Sequence, residues 1–305
     1  MRRETLQEAY AYCETVCRNA STTFYSSFSA LQPDKRRAVH AVYALCRWVD
    51  DIVDEIHSGA SPSLPPEEHR RRMMALVDIR LKLQASSEQR ITPEDHPIFI
   101  ALQDVFARYP IKLNDFETVL EGMEDDLYPV ANQTWDELRS YCYKVASAVG
   151  LILIEIYGYE DRAARLHAID LGIQMQLINV LRDINEDMER GRIYLPLDIM
   201  ASHNITPDML RAGTVANSLA WKGFMVEYVD VIKRHQTSAN QLFGYLDGRA
   251  RVQPEIMADA YTSILNEIVR RSGDVFTQPV RLSKLRKGLL GLRLSLRKLR
   301  ARIFA

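Results

Sequence analysis

Apolar residues recur every three or four positions through nearly every long segment of the 305-residue chain. Strict alternation of apolar and polar residues, which is typical of half-buried strands, is hard to find. The pattern therefore predicts an all-α protein. The predicted helices run over about 4–18, 34–56, 67–84, 97–109, 113–127, 134–157, 160–190, 206–246 with a break near Gly213, 254–271 and 284–303.

Two segments rich in Ser, Pro and charged residues interrupt the helical pattern, at 58–66 and 85–97. Such composition is typical of surface loops, but neither segment is long enough to separate domains. No internal repeat and no shift in composition marks a boundary either. We therefore expect a single domain over residues 1–305.

Composition and charge argue against several classes of protein. With 47% hydrophobic and 26% charged residues the chain has a globular profile, and its formal net charge of -1 argues against nucleic acid as a partner. Glycine-rich nucleotide-binding motifs are absent, and the cysteines and histidines lack the spacing of a zinc site. The longest apolar run, 145–154, is too short to cross a bilayer, and the N-terminus does not resemble a secretory signal. We therefore expect a cytoplasmic protein.

The predicted helix over 34–56 carries a polar stripe beside its apolar one. Tyr43, Arg47, Asp50 and Asp54 follow one another at spacings of four, three and four, which places them on one face, with Asp51 next to it. Two carboxylates one turn apart repel each other, so a nearby cation would stabilise them. The alternative is the solvated acidic end of a helix that precedes a loop.

A second polar stripe lies on the predicted helix over 160–190. It consists of Gln176, Asn179, Asp183 and Asp187, at spacings of three, four and four between apolar neighbours. Burial of an amide among apolar residues is costly unless the amide has partners, so this stripe is expected to face a polar site. Asn179, Asp183 and Asp187 would then present three oxygen ligands in line.

Two carboxylate-bearing helices in an all-α protein indicate a definite chemistry. Mg²⁺ is usually held by one or two carboxylates, while substrate phosphates take its remaining positions. The residues alone therefore predict a metal-dependent enzyme that acts on a diphosphate.

Both stripes lie in segments that resemble the aspartate-rich signatures of the squalene/phytoene synthase family, which joins two prenyl diphosphates head to head. These segments are YALCRWVDDIVDE, from Tyr43, and LINVLRDINEDMERGRIYLP, from Leu177. The resemblance extends to STTFYSSF at 21–28, EGMEDD at 121–126 and YCYKVASAVG at 141–150, and it covers most of the chain to about Tyr261. It implies an isoprenoid synthase fold, with helices around a deep apolar cavity and carboxylates at the mouth.

The resemblance also implies roles for individual residues. The implied catalytic residues are Tyr43, Arg47, Asp50, Asp54, Arg182 and Asp183, and the two arginines would contact the departing diphosphate. The implied Mg²⁺ ligands are Asp50, Asp51, Asp54, Asp126, Asn179, Asp183 and Asp187. The implied substrate-binding residues are Ser21, Thr23, Phe24, Phe28, Tyr141, Gln176, Asn179 and Tyr261. For a single Ser, Thr or Tyr among these, helix capping or packing is the simpler alternative.

The family reaction begins when Mg²⁺ assists the departure of one diphosphate and the second prenyl chain attacks the allylic cation. A cyclopropylcarbinyl diphosphate then rearranges to a 1-1′ linked hydrocarbon. In this family, bulky side chains along the segment that contains Phe24 and Phe28 form a floor that limits chain length, so the resemblance implies this role for the two residues, which stand one turn apart. That floor favours two farnesyl diphosphates and a C30 product, either squalene, which would require NADPH, or dehydrosqualene, for carotenoid or hopanoid synthesis.

Two alternatives to the C30 reaction stay open at this point. His40 stands where many relatives carry an aromatic residue, and a wider cavity there would admit two geranylgeranyl diphosphates, as in a phytoene synthase. An alternative of another class is a catalytically inactive assembly protein. Against it, the chain keeps every carboxylate of both motifs.

The C-terminal segment differs in charge from the rest of the chain. Nine of the 39 basic residues lie between Arg281 and Arg302, and no acidic residue follows Asp274. The apolar residues of this segment form one stripe: Leu289, Leu292, Leu296, Leu299 and Ile303. The segment 281–303 is therefore predicted to be a basic amphipathic helix. Either it docks on the domain with its basic face in water, or it binds anionic lipid reversibly and places the protein on the inner face of a membrane.

Overall fold

The structure is a computed structural model that describes residues 3–54, 65–128, 131, 133–216 and 218–303, apart from the side chains of residues 23, 284, 300, 302 and 303. The α-helices in these ranges are α1 (Arg3–Ala20), α2 (Thr22–Phe28), α3 (Pro33–Asp54), α4 (Pro66–Ser87), α5 (Pro97–Arg108), α6 (Leu113–Asp125), α7 (Trp135–Cys142), α8 (Ala148–Tyr157), α9 (Ala164–Arg182), α10 (Ile184–Glu189), α11 (Leu197–Ser202), α12 (Pro207–Arg211), α13 (Leu219–Ala239), α14 (Leu242–Tyr245), α15 (Val252–Arg270) and α16 (Lys284–Ile303). A π-helix, Tyr143–Ser147, joins α7 to α8. The described ranges contain isolated β-bridges but no strand, so the all-α prediction is confirmed.

Most of the long helices agree with the sequence prediction, and the differences concern short helices and the two longest predicted segments. The helices α2 and α11 have seven and six residues, too few turns for a periodic pattern to reveal them. The segment 206–246 forms three helices, α12 to α14, where one helix broken near Gly213 was predicted. The predicted loop at 58–66 lies outside the described residues except for Pro65 and Pro66, which begin α4.

The predicted helix over 160–190 is interrupted at Asp183, so the prediction of one continuous helix was wrong. Asp183 has φ -104° and ψ 12°, and it separates α9 from α10. Its carboxylate accepts two hydrogen bonds from the guanidinium of Arg182. Side chains of adjacent residues point in different directions on a regular helix. The contact between Arg182 and Asp183 therefore occurs where the helix is interrupted.

The hydrophobic core has two parts, and α9 contributes to both. One part is built mainly from α1, α3, α4, α5, α6 and α8, and the other mainly from α13, α15 and the segments near α10. Leu171 belongs to the first part, whereas Leu177 belongs to the second. The buried Tyr228 of α13 donates a hydrogen bond to the Leu177 carbonyl over 3.3 Å. The helix that carries the second polar stripe is thus fixed on both sides.

The helical segment from α7 to α8 begins at Thr134 and contains the π-helix. Thr134 and Glu137 form a capping box. The π-helix packs closely on α9, since a Cβ at Gly172 would lie 2.6 Å from the Cα of Ser147. A single π turn inside an α-helix often marks a functional site.

By length and composition alone, the segment Trp135–Tyr157 could cross a membrane, which the sequence prediction did not anticipate. Half of its most apolar stretch is buried inside the protein. Val149 and Leu153 of this segment line the internal cavity described below. These properties are those of a core helix.

The C-terminal helix α16 lies where the sequence predicts it, but it does not dock on the domain through its main apolar stripe. Leu290 and Leu294 are buried, whereas Leu289, Leu292, Leu296 and Leu299 are exposed. The stripe that would have been expected to face the domain therefore faces outward.

Candidate active site

The C-terminal turns of α3 carry the first group of carboxylates. Arg47 Nη1 lies 3.3 Å from Asp50 Oδ2, and the same guanidinium donates to Asp51. Burial, followed by the charge of Asp54, raises the pKa of Asp50 to about 6, although 47% of its side chain is exposed. Asp50 thus lies near the surface, close to other carboxylates, where a cation would stabilise its charged form.

The end of α9 and the short helix α10 carry the second group. Arg182 Nε donates to Asp183 Oδ1 over 2.7 Å, and Nη2 of the same guanidinium donates to Oδ2, which makes the pair bidentate. The backbone N–H of Asp187 donates to the Asp183 carbonyl over 2.9 Å, so the two aspartates stay one turn apart despite the break. Burial and then the charge of Asp183 raise the pKa of Asp187 to about 7. The predicted ligands are therefore neighbours, but they do not lie on one straight helix.

Two arginines that the sequence analysis left without a role connect the two groups. Arg192 Nη1 donates to Asp54 Oδ1 over 2.7 Å, and Nη2 donates to the backbone carbonyl of Asp126 over 2.9 Å. Arg190 Nη1 lies 3.2 Å from the other carboxylate oxygen of Asp54. Both arginines also lower the pKa of Asp187 against the effect of its burial. The structure therefore brings Asp54, Asp126 and Asp187 to one place around two guanidinium groups.

The sequence does mark these two arginines by the glycine between them, although helical periodicity does not reveal them. Arg190 and Arg192 follow α10 directly, on either side of Gly191. Gly191 has φ 77°, a left-handed conformation that glycine adopts without strain, and it turns the chain back toward α3. Helical spacing cannot identify residues that lie beyond the end of a helix.

Asp126 directly follows α6 and is anchored by two buried tyrosines. Tyr194 donates to Oδ1 over 2.6 Å, and Tyr141 donates to Oδ2 over 3.1 Å. The two rings stack with their centroids 4.6 Å apart. Burial raises the pKa of Asp126 to about 6 against the lowering effects of Arg192 and the two hydroxyls. The predicted substrate-binding residue Tyr141 thus contacts Asp126 and is not among the residues that line the cavity.

An apolar cavity of about 220 Å³ runs between α8, α9 and α15, as the family resemblance implies. Gln176, Asn179 and Tyr261 line the end near the carboxylates. The other lining residues are Phe24, Val145, Ala146, Val149, Gly150, Leu153, Ile154, Tyr157, Ala168, Leu171, Gly172, Met175, Leu242, Gln253, Pro254 and Met257. An α-helix rises about 1.5 Å per residue, so the lining from Asn179 to Ala168 extends over about 16 Å of the α9 axis.

At the carboxylate end of the cavity, one buried hydrogen-bond acceptor has no partner in the described part of the chain. Asn179 Nδ2 donates to Gln176 Oε1 over 3.1 Å, whereas Asn179 Oδ1 is buried and has no hydrogen-bond partner there. The phenol of Tyr261 interacts with Asn179 and Arg182. A buried acceptor without a partner is costly, so Asn179 Oδ1 is suited to accept from a ligand or to coordinate a cation.

The aromatic residues predicted to face substrate divide into a lining residue and its supports. Phe24 lines the cavity, and its ring centroid lies 5.7 Å from Tyr43 and 6.3 Å from Phe28. Phe28 is buried behind Phe24, packs on His40 at 5.7 Å and is not among the lining residues. Phe28 therefore supports the cavity wall without forming its floor, which differs from the prediction. Burial raises the pKa of Tyr43 to about 12.

A polar chain of hydrogen bonds closes the end of the cavity away from the carboxylates. Tyr157 donates to Gln253 Oε1 over 2.6 Å, and Gln253 Nε2 donates to Ser27 Oγ over 3.2 Å. Leu242 lines the same end. The floor is formed by Tyr157 of α8, Leu242 of α14 and Gln253 of α15, with Ser27 of α2 behind Gln253. Because these residues are far apart in the sequence, helical periodicity does not reveal the floor.

Ser21 and Thr23 belong to the short helix α2. Ser21 is the N-cap, and its Oγ accepts a hydrogen bond from the backbone N–H of Phe24 over 3.4 Å. Capping is thus the role that the structure gives Ser21. The side chain of Thr23 lies outside the described residues.

The carboxylate and amide oxygens of this site fit a Mg²⁺ ion that also binds a diphosphate. In the described part of the chain, no three His, Cys, Asp or Glu side chains lie close enough to hold a metal ion by themselves. The carboxylates are divided between α3 and the α9–α10 segment, which suits a metal that uses one or two carboxylates and substrate phosphates. The raised pKa values of Asp50 and Asp187 and the free acceptor of Asn179 fit a cation between these elements.

Comparisons with known sequences agree with the resemblance. The family model described as squalene/phytoene synthase matches residues 17–286. The chain is 33% identical to phytoene synthase 2, chloroplastic, of Solanum lycopersicum over 289 residues, which cover 92% of this chain and 88% of the relative. It is 30% identical to the 15-cis-phytoene synthase of Synechococcus elongatus, over 93% of this chain and 91% of the relative.

Solved structures show the same fold. A dehydrosqualene synthase in complex with a ligand superposes with a TM-score of 0.83 at 27% identity, over 96% of this chain and 97% of that chain. A squalene synthase from Alicyclobacillus acidocaldarius superposes with a TM-score of 0.77 at 24% identity, over 88% of this chain and 95% of that chain. The second likeness concerns the fold alone.

Proposed function

Because the chain belongs to the squalene/phytoene synthase family of prenyltransferases, we propose that it joins two prenyl diphosphates through a 1-1′ bond in a Mg²⁺-dependent reaction. The observation that carries the proposal is the position of the two carboxylate groups. They lie on α3 and on the α9–α10 segment, and Arg190 and Arg192 connect them. The second group adjoins Asn179 and Tyr261 at the polar end of an apolar cavity.

The charged residues have separate tasks in this proposal. Asp50, Asp54, Asp183 and Asp187 would hold Mg²⁺, which when bound neutralises charge on the departing diphosphate. Arginine binds phosphate oxygens bidentately through its planar guanidinium. Arg182 is suited to this contact because it lies beside both Asp183 and Tyr261 at the cavity end.

The cavity has the properties that an allylic cation requires. Its walls are aliphatic or aromatic over most of their length, which excludes water from the reacting chain. The face of an aromatic ring attracts positive charge, and Phe24 presents a ring to the cavity with Tyr43 in contact behind it. These two residues are our candidates for stabilising the cation.

We propose geranylgeranyl diphosphate as the preferred donor, with a C40 product, in place of the C30 product expected from the sequence. The relatives at 30% and 33% identity are named phytoene synthases, and Phe28 does not form the cavity floor. The cavity lining extends over about 16 Å, and the turn from Asn179 to Asp183 adds about 6 Å, so the distance from the far end of the cavity to Asp183 is about 22 Å. An extended C20 chain measures about 20 Å and a C15 chain about 15 Å, from C–C bonds of about 1.5 Å.

A C30 product is the second candidate. It is favoured by the likeness to a dehydrosqualene synthase and by Phe24, a bulky side chain on the cavity wall. NADPH would be consumed only if that product were squalene.

The test is the hydrocarbon made by purified protein from either farnesyl or geranylgeranyl diphosphate, with Mg²⁺ or EDTA and with or without NADPH, identified by mass. We expect a C40 product from the geranylgeranyl donor that requires Mg²⁺. A C30 product from the farnesyl donor alone would overturn the chain-length proposal and keep the reaction type. No product from either donor, with a folded protein, would favour the inactive assembly protein.

A further inference from the structure

The C-terminal helix α16 contacts the rest of the protein through a narrow face. Leu290 and Leu294 are buried, and Leu294 packs with Val252 and Ile256 of α15. The opposite side of α15 carries Met257, which lines the cavity. The helix α15 therefore separates α16 from the cavity.

Ion pairs hold the basic flank of this narrow face to α15. Arg297 lies 3.2 Å from Glu255 and 3.0 Å from Asp259, and Arg286 lies 3.3 Å from Glu267. These pairs fix the rotation of α16 about its own axis. The direction in which its outer face points is thus determined by charge as well as by packing.

The outer face of α16 is a continuous row of exposed leucines. Its members are Leu285, Leu289, Leu292, Leu296 and Leu299, each between 51% and 74% exposed. Their spacings of four, three, four and three place them on one stripe of the helix, turned away from Leu290 and Leu294. Soluble proteins rarely leave such a contiguous apolar row in water, so this face is suited to binding.

The charge of α16 narrows the choice of partner. The helix contains eight Lys and Arg and no acidic residue. Leucines at this spacing also suit a coiled coil with a second copy of the chain. Arg286, Arg293 and Arg297 pair with acidic residues of α15, but α16 itself has no acidic residue beside its leucines. A second copy would therefore bring together two leucine rows that lack opposite charge, whereas an anionic bilayer offers opposite charge and an apolar interior.

We propose that the outer face of α16, defined by these five leucines and the flanking basic residues, docks the protein on an anionic lipid bilayer. The helix lies in the plane of the interface, with the leucines among the acyl chains and the basic residues of α16 that α15 does not pair near the phosphates. The proposal rests on this surface alone and is independent of the proposed reaction.

The experiment measures co-sedimentation of the full chain with vesicles of phosphatidylglycerol and phosphatidylcholine, compared with phosphatidylcholine alone. We expect at least tenfold tighter binding to the anionic vesicles, weakened by high salt. The double variant Leu292→Glu, Leu296→Glu should lose binding at least tenfold. The matched control is Leu166→Glu, an equally exposed leucine on α9, which should bind as the original chain does.

Two results would overturn the proposal. One is binding that depends neither on lipid charge nor on the double substitution. The other is a dimer of the unmodified chain in sedimentation equilibrium that the double variant dissociates, with no binding to anionic vesicles, which would assign the leucine face to a second copy. Because both substituted leucines are exposed, retained helicity and retained prenyl-transfer activity check that the variant is folded.

Discussion

Arg192 Nη1 donates a hydrogen bond to Asp54 Oδ1 over 2.7 Å, between positions 138 residues apart in the chain. The same guanidinium holds the backbone carbonyl of Asp126. One side chain therefore joins the end of α3, the end of α6 and the segment after α10. The geometry of the carboxylate groups depends on it as much as on the helices that carry them.

Replacing Arg192 by Gln should cost both stability and activity. The substitution leaves the Asp126 carbonyl without its partner and leaves Asp54 paired with Arg190 alone. Because removing one partner of a mostly buried charge pair is costly, we expect a loss of about 3 kcal/mol of unfolding free energy. We expect prenyl transfer to fall more than tenfold. The control is Arg211→Gln, which removes a solvent-exposed pair with Asp208 and should cost about 0.5 kcal/mol or less. Denaturant unfolding and product assays check both, and equal effects of the two substitutions would contradict the prediction.

Asp50→Asn and Asp183→Asn should each abolish turnover while the fold is retained. Each substitution removes a charge that would hold the metal, and neither removes apolar packing. For Asp50→Asn, the loss of repulsion from Asp54 should leave the metal-free protein at least as stable as before. Circular dichroism, thermal unfolding and product analysis provide the readouts, with Asp208→Asn as a surface control. A variant that stays active would remove that aspartate from the proposed metal site.

Asp187 should make the stability of the metal-free protein depend on pH. Its pKa is raised in the folded state from 3.8 to about 7, so the folded state binds a proton that the unfolded state releases. The unfolding free energy should therefore fall as pH rises from about 4 to about 7 and level off above that range. In Asp187→Asn this decline should be weaker. Melting temperatures across this range in EDTA are the measurement, and parallel curves for the two proteins would refute the assignment.

Ala168→Phe should shift the donor preference from C20 toward C15 chains. Ala168 lines the far part of the cavity, so a phenyl ring there shortens the space available to a prenyl chain. Leu166→Phe, at an exposed position of the same helix, is the control and should leave the preference unchanged. The readout is the ratio of kcat/KM for the two donors. An unchanged ratio in Ala168→Phe would show that this end of the cavity does not receive the chain.

Gly172→Ala should destabilise the protein because its Cβ would lie 2.6 Å from backbone atoms of Ser147 in the π-helix. Relieving such a contact requires one helix to move, at a cost of about 1–3 kcal/mol. Gly288→Ala is the matched control, because a Cβ at this position would meet no atom within 4 Å outside the neighbouring backbone of its own helix. Alanine in a helix interior is favoured over glycine by about 0.5–1 kcal/mol, so this control should stabilise slightly. Chemical denaturation distinguishes the two signs.

The sequence predicted the long helices and the polar stripe of α3 because both follow from periodicity within one element. The break at Asp183 depends on a local pair with Arg182, and the role of Arg192 depends on a turn at Gly191 that returns the chain to Asp54. The floor of the cavity depends on tertiary packing of Tyr157 against distant helices. Patterns within a single helix contain no information on such contacts.

The π-helix has a consequence for how the helical segment from Trp135 to Tyr157 can change in evolution. A π turn holds one residue more than an α turn, so deleting one of the five residues from Tyr143 to Ser147 would restore regular hydrogen bonding. That deletion would rotate the first half of the segment by about 100° relative to the second half. Tyr141 would leave Asp126 while Val149 kept its place on the cavity wall. The extra residue thus fixes how Tyr141, which contacts Asp126, is rotated relative to Val149 on the cavity wall. We therefore expect insertions and deletions between Tyr143 and Ser147 to be tolerated less than substitutions.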